Sequence, residues 1–125
     1  MLTVAAMWSR PTLVACVKSS RMCSAGLARR SAITVDADDR ITAFEEKPER
    51  PETTLVGIAL YFYPRSVLPL IDRYLAEGNN PDQPGRLVEW LYERMPFYVW
   101  RVPGRWYDIG SPETLEQADR EFSQS

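Results

Sequence analysis

The sequence has no histidine among its 125 residues, and that omission excludes whole classes of chemistry. Serine–histidine and cysteine–histidine nucleophilic catalysis cannot be assembled in their usual form. Cysteine is scarce as well, with only Cys16 and Cys23 present. Lacking a histidine or a third thiolate, they cannot close a four-ligand zinc site. In a basic, irregular stretch they read more readily as free thiols than as a disulfide framework, which points to a reducing, cytoplasmic compartment. Long apolar runs are also missing. No stretch approaches the roughly twenty apolar residues that cross a bilayer, so no membrane partner is expected. Acid is absent from residues 1–30, which hold Arg10, Lys18, Arg21, Arg29 and Arg30. All 17 acidic residues lie from Asp36 onward. An acidic body disfavours nucleic acid as a partner, because nonspecific binding depends on clustered positive charge.

What is present describes a soluble α/β domain. A hydrophobic share of 45% and a charged share of 26% are those of one globular unit with a single core. Residues 1–30 stand apart as an atypical basic segment, rich in Ser, Arg, Met and Cys, with one β-prone run at Thr12–Val17. In composition the segment resembles an organellar transit peptide. The favoured alternative is a disordered or non-native stretch, because no helical apolar period develops in it. From residue 31 to 125 the pattern is regular. Ser31–Val35 and Arg40–Glu45 flank the turn-forming cluster Asp36-Ala37-Asp38-Asp39 and read as a hairpin. Pro48 and Pro51 mark a loop. Thr54–Tyr63 is nearly all apolar, as in a strand buried on both faces. Gly57 within it suggests a close approach to the backbone.

Helices are expected next. Ser66 is placed to cap one running to about Glu77, with Val67, Ile71, Tyr74 and Leu75 on one face. Gly78-Asn79-Asn80-Pro81 stops it. A second helix runs from Pro84 to Met95 with Leu87, Val88 and Leu91 at helical spacing. Phe97–Val102 reads as a strand, Pro103-Gly104 as a turn, and Trp106–Ile109 as a short extended segment. Ser111 then caps a last helix with Pro112 at its first position and Leu115, Ala118 and Phe122 as its buried stripe. Strands alternating with helices give α/β, and the hairpin makes the sheet mixed.

Two places could carry chemistry. Asp108 stands where an extended segment gives way to a capped helix. Alone, it reads first as a brace for the turn at Gly110. Its other reading is a Mg²⁺ ligand, since that ion takes one or two carboxylates with substrate phosphate oxygens. The pair Glu46-Lys47 reads first as a solvated turn. Its functional reading divides the work: a carboxylate accepts from sugar hydroxyls and an ammonium faces a phosphate, with Pro48 stiffening the loop. The aromatics Trp90, Tyr92, Phe97, Tyr98 and Trp100 read as packing rather than as a platform for bases.

An ordered set of motifs resembles the C-terminal half of the nucleotide-sugar pyrophosphorylases, the sugar-1-phosphate nucleotidyltransferases. The set comprises Val35-Asp36, Arg40-Ile41, Phe44-Glu45-Glu46-Lys47-Pro48, Val56-Gly57-Ile58-Ala59-Leu60-Tyr61, Asn80-Pro81-Asp82-Gln83-Pro84-Gly85, Glu89-Trp90-Leu91 and Gly104-Arg105-Trp106-Tyr107-Asp108-Ile109-Gly110-Ser111-Pro112. The resemblance implies part of a Rossmann-like nucleotidyltransferase fold. It also implies attack of a sugar 1-phosphate on the α-phosphate of a nucleoside triphosphate, with release of pyrophosphate. By that resemblance Glu46 contacts sugar hydroxyls, Lys47 the sugar phosphate, Gly57 lies beside the sugar, and Asp108 is one of two Mg²⁺-binding aspartates. Such chemistry needs no general base, because the attacking phosphate is already anionic, which accords with the missing histidine.

Two parts of the family pattern are absent: the Gly-rich N-terminal signature around the nucleotide phosphates, and the Gly-Asp segment with the other metal aspartate. Ser31-Ala32 also stands where a glycine near the sugar is common. The chain is therefore expected to be the sugar-phosphate-binding part alone, inactive by itself, with no residue assigned as catalytic. The nucleoside triphosphate becomes a partner only if the missing half is supplied. The alternative is a non-catalytic binding or interaction module, whose incomplete sheet leaves an edge for self-association.

Overall fold

The computed structural model describes residues 13–19 and 30–124. Cys23, Thr12 and most of the basic segment, with the transit-peptide reading, lie outside the described residues. Strand β1 (Leu13–Ser19) is followed by β2 (Ala32–Val35), β3 (Ile41–Glu45) and β4 (Leu55–Phe62). Helices α1 (Leu68–Ala76) and α2 (Pro84–Tyr92), strand β5 (Phe97–Arg101) and helix α3 (Pro112–Phe122) come next.

The five strands form one sheet in the order β3-β2-β4-β1-β5. It is mixed: β1 runs parallel to β5 and antiparallel to β4, while β2 is antiparallel to β3 and β4. The segment that composition sets apart thus supplies an interior strand. Leu13, Val14, Ala15, Cys16, Val17 and Lys18 are all buried, the fate of an apolar run flanked by strands on both sides. A boundary at residue 30 cuts through this sheet.

The hairpin forms as its turn residues dictate. Asp36 Oδ1 accepts from the backbone N–H groups of Asp38 at 2.9 Å and Arg40 at 3.0 Å, an Asx-type turn. The tip then reaches across to β5. Arg40 bridges Tyr98, Val99 N–H donates to the Asp39 carbonyl at 2.9 Å, and Arg101 Nη2 lies 3.0 Å from Asp39 Oδ1. The sheet is curled enough for its opposite edges to touch at one end.

Strand β4 departs from the expected burial on both faces: Ala59 and Leu60 are exposed. The register with β1 shifts between Ala15 (opposite Tyr61) and Val17 (opposite Gly57), a bulge in which Ala59 takes φ 57°. On its other side β4 pairs with β2 only at Val56, opposite Ala32. Among the described residues no strand flanks Ile58–Leu60 there.

The helices hold, with four corrections. Ser66 caps nothing. It lies in the 3₁₀ turn Arg65–Val67, and α1 starts at Leu68 without a side-chain cap, Pro69 occupying the first turn where a missing N–H costs little. Its Leu75 is exposed rather than packed, while Val67 and Tyr74 are buried. Helix α2 stops at Tyr92, closed by Arg94 and Met95 N–H groups that both donate to the Leu91 carbonyl. Helix α3 has the expected Ser111 cap, reciprocated by Thr114 as a capping box. Its stripe is not buried, however: of Leu115, Ala118 and Phe122 only Ala118 is covered. Phe122 meets the Tyr107 ring edge-on at 5.6 Å. The core lies between the sheet and helices α1 and α2, built on Leu13, Ile33, Phe44, Val67, Leu91 and Phe97. Phe97 is fully buried there, as expected of a packing aromatic.

Candidate functional site

Glu46 follows β3 directly, and there the chain turns sharply: Lys47 takes φ 51°, a left-handed conformation uncommon outside glycine. The turn leaves the two side chains in different surroundings although their charged ends meet. The Glu46 side chain is only 9% exposed, whereas that of Lys47 is half exposed, with Nζ 3.9 Å from Glu46 Oε1. Inside, Ser31 Oγ donates to Glu46 Oε2 at 2.5 Å. The carboxylate fills the space above Gly85 in the first turn of α2. A Cβ on Gly85 would collide with Glu46 Oε2. A negative charge is favoured at that end of a helix.

Gly57 completes this cluster. Its N–H donates to the Ser31 carbonyl at 3.0 Å. A Cβ placed on it would meet Ile33 Cδ1 at 3.4 Å, Ser31 Cβ at 3.5 Å and Tyr61 Oη at 3.6 Å. These are ordinary contacts, so the packing does not itself demand glycine. The Tyr61 phenol is pushed above its ordinary pKa, chiefly by burial and also by the Glu46 charge, with the Ser31 hydrogen bond opposing.

Asp108 belongs to a second cluster. Its loop is pinned at both ends. At the start, the buried Lys18 ammonium donates to the carbonyls of Val102 and Gly104, and Gly104 takes φ 70°. At the end stands the Ser111 cap of α3. Between them Asp108 Oδ2 lies 3.4 Å from Arg30 Nη2, and the Arg30 guanidinium sits 4.6 Å from the Trp106 ring centroid, a cation–π contact. The Arg30 side chain is 5% exposed and that of Asp108 52%. Arg30 Nε and Nη1 are buried without a hydrogen-bond partner among the described residues.

The structure therefore brings Glu46, Lys47 and Gly57 together around Ser31 and sets Asp108 beside Arg30. The consecutive residues Arg30 and Ser31 connect the two groups. Neither was singled out as a site residue from sequence, nor were Lys18, Tyr61 and Gly85. Lys18 gave one signal, a charge at the end of an apolar β-prone run. None of the four predicted residues lines the open groove of about 680 Å³ elsewhere, which Phe44, Tyr74, Asn80, Arg86, Trp90 and Tyr92 help to form.

Among the described residues no group of three or more His, Cys, Asp or Glu side chains could hold a metal ion. Asp108 offers one carboxylate, and that carboxylate faces a guanidinium. Mg²⁺ demands near-octahedral oxygen ligands, so the described residues do not fit this ion by themselves. No helix among them is long and apolar enough to cross a membrane.

The family model for nucleotidyl transferases matches residues 25–125. Over 101 residues the chain is 29% identical to a glucose-1-phosphate adenylyltransferase of Clostridium acetobutylicum, covering 76% of this chain and 26% of that protein. The fold aligns with a Bacillus anthracis protein named as a glucose-1-phosphate thymidylyltransferase at a TM-score of 0.74 and 17% identity, over 92% of this chain and 45% of that one. It aligns with UDP-glucose pyrophosphorylase at a TM-score of 0.73 and 18% identity, over 96% and 47%. These structural likenesses establish the fold: a mixed sheet with flanking helices, of the Rossmann-like nucleotidyltransferase type. The chain spans about a quarter of the adenylyltransferase's length and under half of each of the two solved structures. With most of its residues matched by the family model, the chain belongs to the nucleotidyl transferase family.

Proposed function

We propose that these residues form the sugar-phosphate side of a nucleotidyltransferase that joins a sugar 1-phosphate to a nucleoside monophosphate, releasing pyrophosphate. The observation that carries this reading is the Glu46 carboxylate, turned inward and held by the neutral Ser31 hydroxyl beside Gly57. An ionised carboxylate only accepts hydrogen bonds, so Glu46 suits hydroxyl-bearing ligands. Lys47, on the open side of the same turn, presents a mobile ammonium to a phosphate. Gly57 leaves the strand bare next to them. The attacking phosphate oxygen needs no general base, so positioning and charge carry the reaction. A bound Mg²⁺ would neutralise phosphate charge. Asp108 would serve such an ion only together with a carboxylate from outside the described residues. The nucleoside triphosphate likewise requires elements beyond them, and a cytoplasmic setting suits such substrates.

Titration calorimetry with glucose 1-phosphate tests the reading. Weak saturable binding is expected, reduced about tenfold by Glu46→Gln, the loss of one hydrogen bond to a charged group. No binding, or binding indifferent to Glu46, removes the proposal. Pyrophosphate is not expected from the purified chain with a nucleoside triphosphate and glucose 1-phosphate; its release would show that this chain suffices. A second reading, an interaction module, draws on the unflanked stretch Ile58–Leu60 of β4, where Leu60 is exposed. Self-association in sedimentation without any sugar-phosphate binding would favour it.

A further inference from the structure

Asp108 already has a cation. Arg30 Nη2 approaches its Oδ2 at 3.4 Å, and the guanidinium carbon lies over the Trp106 ring. Because Arg30 Nε and Nη1 have no hydrogen-bond partner, Asp108 is the one hydrogen-bond acceptor this guanidinium has among the described residues. A buried cation stripped of its only acceptor is strongly disfavoured. Nor can Arg30 drift aside freely. Its neighbour Ser31 is tied by its hydroxyl to Glu46 and by its carbonyl to Gly57, and the Trp106 ring covers the guanidinium. A divalent ion on Asp108 would stand within a few ångströms of this fixed positive charge, a like-charge contact weakly screened in a partly buried site.

We propose that the Arg30 guanidinium is the resident counter-ion of Asp108, so that a divalent cation binds this carboxylate only by displacing Arg30. The misfit between the described residues and a Mg²⁺ site then has a physical cause. The position is filled by a tethered cation rather than left open for a free one. Arg30 acts here as a gate on metal occupancy. The inference concerns the Asp108 reading proposed above but not the sugar-phosphate one, since metal binding is measured with no sugar present.

Mn²⁺ binding to the full chain, read from the free-ion signal in electron paramagnetic resonance, tests it. Arg30→Gln leaves Asp108 as a lone, uncompensated carboxylate, which is expected to bind Mn²⁺ weakly but about tenfold more tightly than the parent chain does, a coupling of ordinary size. Adding Asp108→Asn to Arg30→Gln should return the affinity to the parent level or below. Equal affinities for the parent and Arg30→Gln overturn the proposal, as does tight binding that survives Asp108→Asn. Should Arg30→Gln fail to fold by circular dichroism, Trp106→Leu provides the second arm. Removing the ring that holds the guanidinium should strengthen Mn²⁺ binding in the same direction by a smaller factor, and an unchanged affinity overturns the proposal. Failure of glucose 1-phosphate to bind leaves these outcomes untouched, so the two readings fail separately.

Discussion

The two clusters are inversions of each other. Around Ser31 the acid is buried and its cation exposed: Glu46 is 9% accessible and Lys47 49%. Around Trp106 the cation is buried and its acid exposed: Arg30 is 5% accessible and Asp108 52%. The difference teaches which member the fold depends on. Glu46 is steadied by a hydroxyl, so its ammonium neighbour is dispensable to folding and available to a ligand. Among the described residues Arg30 has only the Asp108 carboxylate as a hydrogen-bond acceptor, so the exposed Asp108 is tied to folding.

Several substitutions would break or sharpen that contrast. Asp108→Ala should cost the most, about 2 kcal/mol in urea denaturation, a figure lowered from the full penalty for stranding a buried charge because Asp108 is half exposed. Lys47→Gln, the mirror substitution, should change stability by less than about 0.5 kcal/mol; equal effects would erase the inversion. Ser31→Ala should cost about 1.5 kcal/mol, because it removes the donor that holds a nearly buried carboxylate. Its effect on glucose 1-phosphate binding should match that of Glu46→Gln if the hydroxyl's role is to orient the acid.

Alkaline pH offers a smaller effect that neither cluster dominates. Burial pushes the Cys16 thiol up from 9.0 to about 11 and raises the Tyr63 and Tyr61 phenols above their ordinary value. Each group binds its proton more tightly folded than unfolded, so stability is complete below about pH 9. It falls as pH rises through 11, since the unfolded chain loses these protons first. Thermal melts between pH 8 and about 11 should show this decline, and Cys16→Ala should make it shallower. A flat profile would mean that β1 is open to water. The same burial should keep Cys16 slow toward thiol reagents in the native chain.

Much of the fold was legible where the determinants are local. Asp36 fixes its own turn, Ser111 and Thr114 cap α3 within one turn, and Gly78 ends α1 with φ 78°. Burial was less legible, since it depends on what lies across from a residue. The β4 run looked doubly covered, yet Ala59 and Leu60 lie at a bulge with, among the described residues, no strand on one side. Leu115 and Phe122 have helical spacing but no opposing surface that covers them. The β-prone run at 12–17 was legible as a strand, but its basic surroundings hid that β1 lies inside the sheet. In the site, Glu46-Lys47 could be read as a pair because the two are adjacent. Arg30 could not be linked to Asp108, since 78 residues separate them and the contact exists only after the sheet forms.

The touching edges of the sheet have a kinetic meaning. The hairpin turn at Asp36–Arg40 is local and can form early, whereas its contact with Tyr98, Val99 and Arg101 closes a long stretch of chain. Contacts of such separation carry the larger loop-closure penalty and form late in folding. A contact made after the transition state acts as a latch: it slows escape from the native state while leaving the speed of entry nearly unchanged. Arg101→Ala, which unfastens Asp39, should therefore steepen the early loss of structure in an unfolding experiment and leave refolding at its parent rate. The curl that joins the two edges would then determine how long this sheet stays folded rather than how fast it forms.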